Sequence, residues 1–405
     1  MAGRVVIAGG GHAAGQVIAS LKQRQFGGSI LMLGDEPWYP YQRPPLSKKF
    51  LAGELPAERL LFKPESFYAD PDIEIRLNTR VTSIEIGERT VTTAADERIG
   101  YDKLVLATGA RARRLPVTGA DLPGVHYLRN IADVTSIREG LAKRKRLVIV
   151  GAGYIGLEVA AVTRQLGHEV TVIEMQERVM SRVVSAQVSA FYETEHRARG
   201  VNLMLSTGLK GITGEARVEA VELDSGDRIE TDLVVIGIGI EPNVELADVA
   251  GLEVGDGIVV DDRCRTSDPD VYAVGDCTFH PNDILGTRLR LESVHNAVEQ
   301  AKTAATNICG TDARYAQVPW FWSDQYDLKL QIAGISAGHD QTVIRGTPES
   351  RSFSCAYLRE GRLIAVDAVN NPRDFMQSKA LIAAHTVLDA DALANAEVAL
   401  KDLGS

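Results

Sequence analysis

The sequence predicts an α/β protein built on parallel sheets, and three observations carry that prediction. One pattern of strand, glycines, helix, strand and terminal acid is written twice, at Arg4 to Asp35 and at Arg146 to Glu174. Several further apolar runs close on glycine or aspartate, as buried strands do when they reach a ligand crevice. The composition is ordinary for a globular chain of two or three domains: 405 residues, 45% hydrophobic and 24% charged.

The first copy reads RVVIAGGGHAAGQVIASLKQRQFGGSILMLGD. The β-branched run Val5 to Ala8 meets Gly9 and Gly11, a helix is expected over Ala13 to Gln25, and a second strand, Ile30 to Leu33, runs into Asp35. The second copy reads RLVIVGAGYIGLEVAAVTRQLGHEVTVIE. Here strand Leu147 to Val150 precedes Gly151, Gly153 and Gly156, a helix runs to Gly167, and strand Val170 to Ile173 ends at Glu174. Each position has a physical task. The first glycine permits the tight turn out of the strand, and the second lets backbone approach a pyrophosphate. The third position, Ala14 or Gly156, must be small for helix–sheet packing. Free N–H groups at the helix start attract phosphate, and the terminal acid accepts hydrogen bonds from a ribose. A unit whose glycines served only packing would have to occur twice. Two such Rossmann-like units suggest two dinucleotides, and FAD with a nicotinamide is the pair with an obvious exchange chemistry, hydride transfer.

The runs DKLVLATG (Asp102 to Gly109), DLVVIGIG (Asp232 to Gly239) and DVYAVGD (Asp270 to Asp276) read as further buried strands. Asp276 would offer its carboxylate either to a ligand hydroxyl or to the N-terminus of a following helix.

Composition also excludes. Lys plus Arg is 44 and Asp plus Glu is 54, a net charge of −10, which argues against a protein that coats nucleic acid or an anionic membrane. Cys264, Cys277, Cys309 and Cys355 lie far apart without a C-x-x-C, which removes a disulfide scaffold, a zinc ribbon and a thioredoxin-like pair and suits a reducing cytoplasm. The eight histidines never fall at metal-ligand spacing, so no metal site is expected. The longest apolar stretch, Leu147 to Val162, is too short and too charged to span a bilayer.

With the two fingerprints, the ATG strand, the late VGD, YQRPPLSK (Tyr41 to Lys48) and PWFWSDQYDLKLQIAG (Pro319 to Gly334), the whole chain resembles the two-dinucleotide flavoprotein reductases. Within them it is similar to the NADH-dependent ferredoxin reductases, of the putidaredoxin reductase and ring-hydroxylating dioxygenase reductase type. The resemblance implies a glutathione-reductase-like fold. A discontinuous FAD domain would cover residues 1–113 and 240–316, an NADH domain 114–239, and a C-terminal α+β cap 317–405. It implies an enzyme that takes hydride from NADH onto FAD and passes electrons singly to a [2Fe–2S] ferredoxin. That ferredoxin would serve a cytochrome P450 or an oxygenase, in a transient, electrostatically guided encounter.

Carried over residue by residue, the resemblance implies that Gly9, Gly11 and Ala14 bind the FAD pyrophosphate, with Asp35 on the adenosine ribose. Arg43 and Lys48 would lie along the flavin and pyrophosphate, and Asp276 would hold the ribityl chain. Backbone near Val294 would approach the pyrimidine end, and Trp320 the isoalloxazine edge. Gly151, Gly153, Gly156 and Glu174 would take NADH. A carboxylate at Glu174 repels a 2′-phosphate, although Arg178 or Arg182 lies close in sequence. Lys48 would be the polar group near flavin N5, and Glu158 its partner, the two residues closest to catalysis. The bland alternative for these two is an ordinary helix carboxylate and a solvated loop lysine.

Departures from related families narrow the function. No C-x4-C follows the first unit, and no cysteine stands at Gln42 to Pro45, so thiol-based disulfide or peroxide reduction is not expected. Alternatives that stay open are a reductase for rubredoxin or a small oxidant (a quinone or monodehydroascorbate), and an NADH-sensing flavoprotein resembling apoptosis-inducing factor. GISAG (Gly334 to Gly338) matches a hydrolase elbow only by chance, because strand, turn and strand surround it. His12 is expected to face the loop surface. Arg288, Arg290 and Lys329 are the basic residues expected to meet an acidic partner.

Overall fold

A computed structural model describes residues 3–143 and 145–404. The chain forms two compact units. The first takes the chain up to Arg43, Glu58–Arg111 and Glu241–Pro319; the second takes Pro44–Ala57, Ala112–Ile240 and the chain from Trp320 onward.

In the first unit a parallel sheet runs in the order Val271–Ala273, Lys103–Leu106, Val5–Ala8, Ile30–Leu33, Ile73–Arg76. All residues of Val5–Ala8 and Ile30–Leu33 are buried, because both faces of the sheet are covered and alternation is unnecessary. Val5, Ile7, Ile30 and Met32 pack against Val17, Ile18 and Leu21 of helix His12–Gln23 and Ala301 and Ala304 of helix Val294–Ile308. Val6, Leu31 and Leu104 face Val81, Ile84, Val91 and Ile99 of a small antiparallel sheet. The first helix ends two residues before the expected Gln25. That residue takes a left-handed φ of 56°, which no α-helix continues through.

The second unit repeats the arrangement, in the parallel order Asn202–Met204, Glu169–Ile173, Arg146–Val150, Leu233–Ile236, Val125–Tyr127. Helix Tyr154–Gln165 follows its glycine turn and helix Ala186–Ala198 follows the loop after Glu174. From Trp320 a five-stranded antiparallel sheet forms, in the order Trp320–Gln325, Leu328–Gly334, Arg362–Val369, Ser352–Arg359, Gln341–Thr347, with helix Pro372–Ala383 against it. GISAG is the turn between two of these strands, as read. Among the described residues no helix is long and apolar enough to cross a membrane.

Candidate active site

The first glycine turn lies in the first unit. Gly9 has φ +119°, and a Cβ there would stand 2.2 Å from the Ala107 carbonyl oxygen, so only glycine fits. Above Gly11 the nearest atom to a built Cβ is Nη2 of Arg43, at 3.9 Å. Ala14, in the first turn of the helix, is fully buried. Gly11 caps the helix without a side-chain hydrogen bond, and no acid stands in the first turn, so the N–H groups face an open cradle. His12 does not face the loop surface as expected. Its ring packs edge-on against Phe62, its Nδ1 is buried without a hydrogen bond, and burial beside the Arg43 cation lowers its pKa to about 4. A cradle with a positive helix end, a buried unsatisfied imidazole nitrogen and an arginine at its rim fits a dinucleotide phosphate.

Two acids, Asp35 and Glu36, follow the second strand. Asp35 is exposed and makes no side-chain hydrogen bond among the described residues. Glu36 instead accepts from Arg43 Nη2 at 2.7 Å and from the Tyr41 hydroxyl at 2.6 Å, while Arg43 Nη1 donates to Tyr41 at 3.0 Å. This triad fixes the guanidinium in its place at the rim. Asp276 closes its strand at half-burial. Strand Thr278–Asn282 follows it, so capping a helix is not its task. The turn before it is tied down by Gln300, whose Oε1 accepts from Gly275 N at 2.8 Å and from the Thr278 hydroxyl at 3.0 Å. Val294 is the first residue of a helix capped by Ser293, whose hydroxyl accepts from Asn296 N at 3.1 Å.

The second glycine turn lies in the second unit. Gly151 has φ +102°, and its Cβ would meet the Gly237 carbonyl at 2.5 Å. A Cβ on Gly156 would stand 2.0 Å from the Gly151 oxygen, whereas one on Gly153 would meet nothing within 4 Å. The order tight turn, open cradle, close packing is the one expected. Glu174 accepts from Ala152 N at 2.7 Å and from Gln176 N at 2.9 Å, and so braces the cradle from the next strand. Arg178 is committed elsewhere: it donates to the carbonyls of Ser181 and Val184 and to the Ser189 hydroxyl.

Lys48 and Glu158 come together in this unit. The Lys48 ammonium stands 2.7 Å from Glu158 Oε2, with side chains 17% and 2% exposed, and also donates to the Pro44 carbonyl at 3.2 Å. Ser47 donates to the same oxygen at 2.5 Å and Ser323 to Oε1 at 2.7 Å. A carboxylate this deeply buried persists only when paired and hydrogen-bonded, and here it is both. Glu158 is thus a buried, paired acid and Lys48 its ion-pair partner. Trp320, half-buried, lies 5.5 Å from Trp322 and 5.8 Å from Phe375 between ring centroids, and Lys379 sits over it at 5.4 Å with its pKa lowered by burial.

The four cysteines are free; Cys264, Cys277 and Cys355 are buried, and burial pushes all four thiols up, Cys355 to about 11. A thiol held protonated is a poor nucleophile. Of the expected basic residues, Arg288 donates to the Val260 carbonyl at 3.1 Å, and Arg290 is paired with Glu292 and with Asp256 at 3.4 Å. Arg288 and Lys329 are both exposed and make no ion pair among the described residues. Sequence reasoning missed Glu36, Gln300, Ser47 and Ser323. Ser47 and Ser323 stand inside the RPPLSK and WFWSDQ motifs, the one signal that could have found them.

Residues 3–301 match the family described as pyridine nucleotide-disulphide oxidoreductase, and residues 320–404 match the reductase C-terminal family. The chain is 46% identical over 401 residues to the 5,5'-dehydrodivanillate O-demethylase ferredoxin reductase subunit of Sphingobium sp. (strain NBRC 103272 / SYK-6), covering 98% of this chain and 97% of that one. A crystal structure of the ferredoxin reductase for the CYP199A2 system of Rhodopseudomonas palustris is similar at TM-score 0.96 and 41% identity, covering 99% and 100%. The covalent putidaredoxin reductase–putidaredoxin complex is similar at TM-score 0.96 and 40% identity, covering 99% and 98%.

Proposed function

This chain belongs to the pyridine nucleotide-disulphide oxidoreductase family, and from that premise we propose that it is an FAD-dependent NADH:ferredoxin reductase serving a cytochrome P450 or an oxygenase. The reaction balances as NADH plus two oxidised ferredoxins giving NAD⁺, two reduced ferredoxins and one proton. The family implies FAD and NAD(P)H. The flavin, when bound, accepts a hydride and releases its electrons one at a time.

This chain's residues supply binding, orientation and field. Gly9, Gly11 and the uncapped helix start would hold the flavin pyrophosphate, with Arg43 held at the rim by Glu36 and Tyr41. Asp276 would take the ribityl hydroxyls. Gly151, Gly153 and Gly156 would receive the nicotinamide dinucleotide. Glu174 favours NADH over NADPH, because its carboxylate already braces the turn and Arg178 is committed to carbonyls. Lys48 carries the positive charge that stabilises electron density arriving on the flavin, and Glu158 keeps that ammonium oriented. The single observation carrying this reading is the buried Lys48–Glu158 pair in a chain with no thiolate able to do the redox work.

The partner is a [2Fe–2S] ferredoxin, met transiently, since the chain has no cluster ligands of its own. Four free cysteines favour the cytoplasm. The test is NADH oxidation with and without a [2Fe–2S] ferredoxin. Turnover that gains at least tenfold from the ferredoxin is expected. Equal rates with rubredoxin, a quinone or monodehydroascorbate in place of the ferredoxin would overturn the assignment.

A further inference from the structure

The Lys48–Glu158 pair is the inner end of a longer buried series within the second unit. Ser323 donates to Glu158 Oε1 at 2.7 Å. Gln325 Nε2 donates to the Ser323 hydroxyl at 3.3 Å, and Gln325 Oε1 lies 2.9 Å from His196 Nε2. The Tyr326 hydroxyl lies 3.2 Å from His196 Nδ1. Glu158 is 1% exposed, and Ser323, Gln325 and His196 are fully buried. Ser323 and Gln325 share one face of strand Trp320–Gln325, and His196 comes from helix Ala186–Ala198, so three separate elements converge.

Chemistry fixes the direction of every link. A carboxylate paired with a lysine can only accept, so Ser323 must donate to it. The serine's lone pairs then receive the Gln325 N–H, which leaves the Gln325 carbonyl facing His196. A carbonyl only accepts, so His196 Nε2 carries the hydrogen and Nδ1 is bare. The Tyr326 hydroxyl must then donate to Nδ1. Every dipole in the series points its positive end toward Glu158, and hydrogen bonds in such chains polarise one another. Groups around His196 suit a neutral ring. Burial lowers its pKa to about 4, Arg199 adds to that, and Gln325 and Glu195 oppose it. Arg199 also lies over the Tyr326 ring at 4.4 Å and is paired with Glu195 and Asp327.

We infer that Ser323, Gln325, His196 and Tyr326 form a one-way hydrogen-bond relay that positions Glu158, and through it the Lys48 ammonium. These are positioning residues, not catalytic ones. The inference rests on the reading of Lys48 as the charge beside the flavin, but the relay itself can be judged without that reading.

Two measurements on the holoprotein do so. The first is the ring ¹⁵N spectrum of labelled histidine, with the His196 signals assigned by their loss in His196→Asn. The expected pattern is a neutral ring protonated at Nε2 and unchanged from pH 8 to pH 5. Protonation at Nδ1, or titration near the ordinary histidine value, overturns the relay. The second is anaerobic rapid mixing with saturating NADH. Gln325→Met and Tyr326→Phe are expected to slow flavin reduction about three- to tenfold with NADH affinity unchanged, and Ser323→Thr to retain the rate that Ser323→Ala loses. A purely structural role would lower the melting temperature and leave that rate alone. If Glu158→Gln slows reduction while Gln325→Met and Tyr326→Phe do not, the relay is wrong and the function stands. If Glu158→Gln also changes nothing, the role of Lys48 fails, and the tautomer of His196 alone decides the relay.

Discussion

Replacing Gly153 by alanine separates binding from folding at the second glycine turn. Gly153 has φ −77° and ψ −175°, ordinary extended backbone, and an added Cβ meets nothing within 4 Å. Folding stability should therefore change by less than about 0.5 kcal/mol. The methyl group would nevertheless fill the space over the uncapped helix N-terminus. A phosphate displaced from one or two backbone N–H groups loses charge-assisted hydrogen bonds of ~1.5–3 kcal/mol each. Binding of NADH should weaken about 100-fold, which corresponds to ~2.7 kcal/mol. Gly156→Ala is the contrasting case, since its Cβ would stand 2.0 Å from the Gly151 carbonyl oxygen. Overpacking there should cost ~1–3 kcal/mol of stability. Thermal melts and anaerobic rapid mixing read the two effects, with the flavin absorbance of Gly153→Ala unchanged because the first turn is untouched. A Gly153→Ala protein that binds NADH normally, or that melts as early as Gly156→Ala, refutes the argument.

Three further substitutions follow from the same geometry. Glu158→Gln leaves an amide with one accepting oxygen before three donors, and should slow flavin reduction by NADH about 10- to 100-fold, equivalent to ~1.4–2.8 kcal/mol; an unchanged rate would count against the orienting role. Glu174→Ala removes the carboxylate bound to Ala152 N and Gln176 N, and should lower the NADH-to-NADPH ratio of kcat/KM at least tenfold, read in paired steady-state assays. Asp367 is fully buried with Oδ1 unsatisfied, and burial raises its pKa to about 7. Its protonated form suits the fold, so its contribution is present below about pH 4 and is lost as pH rises through 7 at up to ~1.4 kcal/mol per unit. The melting temperature should therefore fall from pH 5 to pH 8 relative to that of Asp367→Asn, and parallel curves would contradict this.

Both glycine turns were legible in the sequence because their constraints are local: a tight turn, an open cradle and a packed helix lie within about six residues. The parallel strands were legible because burial on both faces writes continuous apolar runs. What the sequence hid depends on long-range placement. Asp35 and Glu36 are neighbours, and only the fold decides that the second holds Arg43 while the first stays exposed. Arg290 reads as a free cation until Asp256 and Glu292 are seen beside it. Glu158 reads as an ordinary helix acid until Lys48, Ser47 and Ser323 arrive from segments more than 100 residues away. Gln325 and Tyr326 stand inside the PWFWSDQYDLKLQIAG segment, but nothing there marks His196 as their partner, because a hydrogen-bond series between separate elements leaves no period in the chain.

The most direct measurement is an anaerobic titration of the purified protein with NADH, followed by addition of a [2Fe–2S] ferredoxin. A yellow protein is expected, whose visible band bleaches with one equivalent of NADH and recovers as two ferredoxins are reduced. A folded but colourless preparation that takes up no FAD, or a band that NADH leaves untouched, would contradict it.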